Sequence, residues 1–177
     1  MNQAVFLDRD GVINEVLSER VRFVNRPEDF YLLDGAGEGI KLLNDAGFKV
    51  FVVTNQGGIG LGYMKESDLH RVHDKMKKEL KTFQASVDDI AYCPHKPHAN
   101  CPCRKPKPKM ILDLAEKYQV DLSRSFMIGD REPDIEAGKR AGTRTVFIGD
   151  REEKTDADIS FPDLLSAATW LTECEMD

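Results

Sequence analysis

Three short, continuous apolar runs, each giving way to a residue able to do chemistry, constrain this chain more than anything else in it. Ala4-Val5-Phe6-Leu7 runs into Asp8, Val50-Phe51-Val52-Val53 into Thr54, and Phe126-Met127-Ile128 into Gly129-Asp130. A run apolar at every position needs burial on both faces, which is the condition of a strand in a parallel sheet covered by helices. Helical periodicity appears between the runs. Ile40, Leu42, Leu43 and Ala46 suit a helix over 37–46 that Gly47 can end, and Leu69, Val72, Met76, Leu80 and Phe83 mark an amphipathic helix over 65–83. Further helices are expected over 109–118, with Pro108 in the first turn, over 133–141, closed by Gly142, and over 162–172; further strands are expected at 90–92 and 145–148. Residues 11–34 are turn-rich and without a strong period. The expected fold is α/β, a Rossmann-like parallel sheet with helices on both faces, and 177 residues suit one domain spanning 1–177. Ligands of such sheets sit beyond the carboxyl ends of the strands, so Asp8, Thr54 and Asp130 would meet at one edge.

The residues at that edge have a common chemistry. Asp8 and Asp10 stand two apart in extended chain and point to the same side, and Gly11 permits a sharp turn after them. Such a pair repels unless a cation joins it, and magnesium prefers oxygen ligands. Asp130 supplies a further carboxylate. Asp134 lies at the start of the next helix, where the helix dipole alone would favour an acid. Thr54-Asn55-Gln56-Gly57-Gly58 offers a hydroxyl and free N–H groups suited to a phosphate oxygen. Arg104, Lys105, Lys107 and Lys109 cluster just before a helix in a chain of net charge −6, where a local basic group is needed to hold any anion.

A second metal chemistry lies at about 93–108. Cys93-Pro94-His95 and Cys101-Pro102-Cys103 provide three sulfurs and an imidazole, a closed tetrahedral set for structural zinc. Magnesium would not choose soft sulfur ligands. His95 is preferred because Cys-x-His mirrors Cys-x-Cys, with His98 as the alternative. Zinc would order a loop poor in apolar residues and place Arg104 and Lys105 directly after a ligand. Cys174 reads as an incidental thiol.

The acidic balance disfavours a nucleic-acid partner, since phosphate-backbone binding calls for a broad basic surface. No apolar run approaches a membrane span. The start, MNQAVFLDRDG, lacks a basic segment followed by an apolar stretch, so a cytoplasmic protein is expected. A monomer is expected too, because no segment reads as an added assembly element.

The DxDG after the first strand, Thr after the second, Lys before a helix and Gly-Asp after a later strand resemble, in that order, the haloacid dehalogenase superfamily of phosphatases. The resemblance implies that Asp8 is a nucleophile forming an aspartyl phosphate and that Asp10 protonates the leaving oxygen and later deprotonates water. It implies that Asp8, the backbone carbonyl of Asp10 and Asp130 hold Mg2+, and that Thr54 and Lys105 hold the phosphoryl oxygens. Asn55, Gln56, Arg104, Lys105 and Arg131 are the implied substrate contacts, and residues 16–19 align with a sugar-touching segment. There is no room for a large cap domain, so short flaps and the zinc loop must shape the pocket. The run C-P-H-x-P…C-x-C-R-K-P resembles the group of heptose 1,7-bisphosphate 7-phosphatases and histidinol-phosphate phosphatase domains. The short His95–Cys101 spacing is a feature of the histidinol-phosphate side. Asn14, Thr54-Asn55-Gln56-Gly57-Gly58-Ile59-Gly60 and Gly62-Tyr63 favour the heptose side, in nucleotide-heptose biosynthesis. A polynucleotide 3′-phosphatase is disfavoured by the acidic balance and the missing kinase domain. A non-catalytic zinc module has no need of both Asp8 and Asp10.

Overall fold

The computed structural model describes residues 1–150 and 153–174. Its elements run β1 (Ala4–Leu7), α1 (Ala36–Asp45), β2 (Lys49–Asn55), α2 (Glu66–Lys81), β3 (Asp89–Cys93), α3 (Lys109–Tyr118), β4 (Phe126–Gly129), α4 (Glu132–Ala141), β5 (Arg144–Ile148), β6 (Ile159–Phe161) and α5 (Leu164–Cys174). The strands form one six-stranded sheet in the order β3-β2-β1-β4-β5-β6, every pair parallel. The chain builds outward from β1 to β3 on one side, then returns to lay β4 against the other side of β1. That reversal is the switch point of the sheet, where the connections leaving two adjacent strands diverge and open a crevice.

All four residues of β1 are buried, and alternate side chains enter two separate cores. Val5 and Leu7 join Val50, Val52 and Ile128 against α1, α2 and α5, through Ile40 and Leu43, Val72 and Met76, and Ala167 and Leu171. Ala4 and Phe6 join Phe51, Val53 and Met127 against α3 and α4, through Ile111, Leu114 and Ala137. The doubly covered sheet is the arrangement the apolar runs require. Burying one such side chain contributes on the order of 1.5–3 kcal/mol, so a charge within β1 is ruled out and the chemistry is confined to the strand ends.

Besides shifts of one or two residues at helix ends, the structure departs from the sequence expectation at three places. Ile159–Phe161 is a sixth strand; three half-buried residues at a sheet edge present no apolar run to recognise. The strand is held instead by Asp158, whose Oδ2 accepts from the backbone N–H and the hydroxyl of Thr145 at 2.8 and 3.1 Å. Strand β2 runs on through Thr54 and Asn55, which pair with Tyr92 and Cys93. Pro108 is the N-cap of α3 rather than part of its first turn. No cap domain stands over the carboxyl edge among the described residues, and none of their helices is long and apolar enough to cross a membrane.

Candidate active site

Asp8 leaves β1 at the switch point, where its N–H donates to Ile128 O of β4 at 3.0 Å. The chain then turns tightly: Arg9 O accepts from Ile13 N–H at 2.8 Å, and Gly11 takes a φ of +84°. A Cβ on Gly11 would land on the Asp130 carboxylate, so glycine is required both for the turn and for this approach. Asp130 follows β4. Asp134, in the first turn of α4, accepts from Arg131 N–H at 3.2 Å and fills the space a Gly129 side chain would need. Carboxylate oxygens of Asp8, Asp130 and Asp134 lie within 4.8 Å of one another.

Lys105 reaches into this group from the loop before α3. Its Nζ donates to Asp8 Oδ1 at 2.9 Å, Asp134 Oδ1 at 2.7 Å and Val53 O at 2.8 Å, and the side chain is 3% exposed. Burial alone would strip such an ammonium of its proton, but the charges of Asp8 and Asp134 outweigh burial and hold it protonated. Burial and the Asp134 charge push Asp8 well above the ordinary carboxylate range despite Lys105. Burial, with Asp134 again, pushes Asp130 up to about 6. One ammonium cannot balance three carboxylates, and Asp130 Oδ1 is buried without a hydrogen-bond partner among the described residues. An uncompensated buried oxygen is costly, and a hard divalent cation that takes oxygen ligands fits this set.

Across the crevice stands Asp10. Burial raises its pKa, but the Arg9 charge and hydrogen bonds from Asn14, Arg9 and Gln56 outweigh burial and hold it below the usual value. Thr54 is buried at the end of β2, where its Oγ1 accepts from Gln56 Nε2 at 2.9 Å, which leaves the hydroxyl hydrogen for another acceptor. The Asn55 amide is turned to Lys105: its Nδ2 donates to Lys105 O at 3.2 Å and its Oδ1 accepts from Lys105 N–H at 3.0 Å. Its polar atoms thus hold the lysine backbone, although the residue borders the cavity.

That cavity has a volume of about 770 Å³. Asp8, Asp10, Lys105 and Asp130 line it, with Arg22, Arg104 and Arg131 as further cations and Val16, Leu17, Phe23, Leu61 and Tyr63 as an apolar border. Of the segment 16–19, Val16 and Leu17 are the residues that reach it. Short flaps around residues 16–25 and 57–64, with Pro97 of the cysteine loop, shape the opening.

The cysteine loop begins where β3 ends. His95 Nδ1 lies 3.4 Å from Cys93 Sγ and 3.3 Å from Cys103 Sγ, while Cys93 Sγ is 3.5 Å from Cys101 Sγ and 3.0 Å from Cys103 Sγ. These separations approach the roughly 3.8 Å edge of a tetrahedron with 2.3 Å metal–sulfur bonds. Three thiols and an imidazole in this geometry suit zinc, and His95 rather than His98 is the histidine among them. The loop is tied to the site at two points, where Gln56 N–H donates to Cys93 O at 2.8 Å and Gly60 N–H to Pro94 O at 2.9 Å, and it is closed on itself by Lys107 Nζ, which donates to Cys101 O at 2.5 Å. A Cβ on Gly60 would meet the Lys96 nitrogen at 2.5 Å, so this close approach needs glycine.

The structure therefore gathers Asp8, Asp10, Thr54, Gln56, Lys105 and Asp130 at the carboxyl edge, places Arg104 and Arg131 on the cavity wall, and groups Cys93, His95, Cys101 and Cys103. Sequence reasoning left Asp134 undecided, and it serves both ends: one oxygen caps α4 and the other takes Lys105. Its spacing of four from Asp130 across a helix start was the available signal. Arg9 and His73, which back Asp10, were not found.

A model of the haloacid dehalogenase-like hydrolase family matches residues 2–142. The D-glycero-beta-D-manno-heptose-1,7-bisphosphate 7-phosphatase of Rhodopseudomonas palustris is 42% identical over 88% of this chain and 86% of its own length. The D-glycero-alpha-D-manno-heptose-1,7-bisphosphate 7-phosphatase of Photorhabdus laumondii is 37% identical over 82% of this chain and 81% of its own. The crystal structure of D,D-heptose 1,7-bisphosphate phosphatase from B. bronchiseptica, complexed with magnesium and phosphate, superposes with a TM-score of 0.88 at 32% identity, covering 97% of this chain and 98% of that one. With a family model matching residues 2–142 and relatives at this identity over most of its length, this chain belongs to the haloacid dehalogenase-like hydrolase family.

Proposed function

We propose that the protein is a magnesium-dependent phosphomonoesterase that removes the 7-phosphate of D-glycero-D-manno-heptose 1,7-bisphosphate through an aspartyl phosphate, working as a cytoplasmic monomer. The observation that carries the reading is one carboxylate, Asp8, held by a buried lysine, with a second, Asp10, facing the same cavity. Relatives bearing the heptose name over most of this chain support the substrate over histidinol phosphate.

Asp8, Asp130 and the backbone carbonyl of Asp10 would hold Mg2+, with Asp134 beside them; the ion supplies positive charge to the phosphoryl oxygens. Asp8 attacks phosphorus in line, and Asp10 protonates the departing sugar oxygen. The Thr54 hydroxyl and the Lys105 ammonium bind equatorial oxygens and offset the charge that spreads over them. Asp10 then takes a proton from the water that releases phosphate. Arg104 and Arg131 meet the anionic substrate on the cavity wall. Zn2+ in the cysteine set would fix the loop that carries Arg104 and Lys105.

The test is phosphate release from both anomers of the bisphosphate, with histidinol phosphate and p-nitrophenyl phosphate beside them, in magnesium and in EDTA. A magnesium-dependent preference for heptose bisphosphate that Asp8→Asn abolishes is the expected result. Preference for histidinol phosphate would replace the substrate and keep the chemistry. Turnover surviving Asp8→Asn would overturn the chemistry.

A further inference from the structure

Arg9 heads the fully buried side chains by volume among the described residues, at 0% exposure, and the proposed reaction leaves it no part. It lies between the two catalytic acids in sequence, yet its guanidinium turns away from the cavity. Its Nε and Nη2 both donate to Oδ1 of Asp10, at 3.3 and 2.9 Å, and its Nη1 lies 3.1 Å from His73 Nε2. Arginine only donates, so His73 Nε2 is the acceptor and the imidazole is neutral, with its proton on Nδ1. His73 projects from α2, 4% exposed, with the Tyr92 ring 6.5 Å away.

The result is an asymmetric carboxylate. Asp10 Oδ1 takes three hydrogen bonds, two from Arg9 and one from Asn14 Nδ2 at 3.0 Å. Asp10 Oδ2 has only a long 3.4 Å contact from Gln56 Nε2. From this asymmetry we infer that Arg9 and His73 are positioning residues for proton transfer, pinning Oδ1 behind the site so that Oδ2 serves the leaving group. The inference rests on the reading of Asp10 as the acid–base group. In the first step an Asp8 oxygen bonds to phosphorus while the bond to the sugar oxygen breaks. The electron pair goes to the sugar oxygen, which takes the proton from Oδ2. In the second, water bonds to phosphorus and gives a proton to Oδ2, and the electron pair of the broken bond returns to Asp8. A fork of two N–H groups fixes the carboxylate orientation, which a single ammonium cannot do. His73 keeps that fork from turning, because the third side of a buried guanidinium otherwise lacks an acceptor.

The pair can be tested with two substrates of similar shape, phenyl phosphate and p-nitrophenyl phosphate, by comparing kcat/KM in magnesium. Nitrophenolate departs with little help from an acid, whereas phenolate depends on one. Arg9→Lys is expected to lower kcat/KM about 100-fold on phenyl phosphate and no more than about tenfold on p-nitrophenyl phosphate, within the span that general acid catalysis contributes. His73→Leu should lower phenyl phosphate turnover about tenfold and leave p-nitrophenyl phosphate within about threefold, while His73→Gln, which retains an acceptor, restores both. Asp10→Asn is the reference and must show the same selectivity, more strongly. If Asp10→Asn loses both substrates equally, the reading of Asp10 fails, and this inference with it. If Asp10→Asn is selective, but folded Arg9→Lys and His73→Leu lose both substrates alike or neither, the positioning role falls and the proposed function stands. Should Arg9→Lys melt early, the His73 pair of variants decides alone.

Discussion

The two clusters of candidate metal ligands are built in opposite ways. Asp8, Asp130 and Asp134 come from β1, the end of β4 and the start of α4, so the sheet itself carries them to one point. Cys93 ends β3, while His95, Cys101 and Cys103 belong to the one short loop that follows it and has little apolar content of its own. The carboxylates repel and are held together by the energy of the fold around them; the thiols and imidazole meet at the margin of the second core, where Cys93 and Cys101 pack and a metal would supply the order of the rest of the loop. A site made by topology tolerates loss of its metal, whereas a site made by a loop depends on it. Lys105 stands between them, its side chain in the first cluster and its backbone just past the second.

Replacing one member of each cluster should break this symmetry in opposite directions. Asp8→Asn removes the proposed nucleophile and should lower kcat by at least about 10³-fold. The same change removes a carboxylate whose folded pKa lies above its unfolded value, a group that opposes folding once the pH exceeds both. In EDTA at pH 7.5, differential scanning calorimetry should show a melting temperature about 2–4 °C higher than wild type, what roughly 1 kcal/mol yields in a chain of this size. A lower melting temperature would mean that the Lys105 pair outweighs the repulsion. Cys101→Ser should act the other way. Zinc content falls, the loop between β3 and α3 opens to protease, and kcat/KM drops by about 10–100-fold through Lys105, the scale on which supporting shells of metal sites act. Amide exchange within β1 and β4 should stay slow. Full activity without zinc would show that Asn55 alone holds the lysine.

Asn55 divides those possibilities. Its amide makes two hydrogen bonds to the Lys105 backbone, one through its N–H and one through its oxygen. Asn55→Ala should therefore cut kcat about tenfold, in line with the loss of roughly 1.4 kcal/mol of hydrogen bonding, with KM nearly unchanged. A raised KM at constant kcat would return Asn55 to the role of a substrate contact.

How far each region can be read from sequence follows the same division. Asp8, Thr54 and Asp130 are legible because each ends a run that must be a buried strand, and parallel topology does the gathering. The cysteine set is legible because its ligands are neighbours in the chain. What escapes is whatever depends on side chains meeting across elements without a pattern of their own. Nothing in the order Asp8-Arg9-Asp10 marks a guanidinium as buried, since its acceptor, His73, belongs to a helix face otherwise read as core packing. The direction of the Asn55 amide is hidden likewise, because the partner is backbone. Strand β6 escapes for a different reason: three residues carry too little apolar pattern against the rest of the tail.

His73 adds a last contrast, since it gives the carboxylate side of the molecule a response to acid that can be isolated. Burial, followed by the charges of Arg9 and His70, lowers its pKa to about 3, with Lys77 adding a little and Asp10 opposing. The folded state therefore keeps it neutral, while the unfolded chain protonates it near pH 6.5. Stability from this group is complete above pH 6.5 and is lost as the pH falls toward 3. Between pH 7.5 and 5.5 the loss is about 1.4 kcal/mol, from 1.36 kcal/mol per pH unit over the one unit below the unfolded value. Asp8 and Asp130, whose folded pKa values are raised, contribute a slope of the opposite sign over the acid range. Wild type alone would blur the two, so the informative quantity is the difference between wild type and His73→Gln in urea melts at the two pH values. A difference in unfolding free energy that shrinks by about 1.4 kcal/mol at pH 5.5 identifies the buried imidazole. A constant difference would mean that folding leaves its titration unshifted, and one that widens would mean that His73 is protonated in the fold, where its Nε2 could not be the acceptor that faces Arg9.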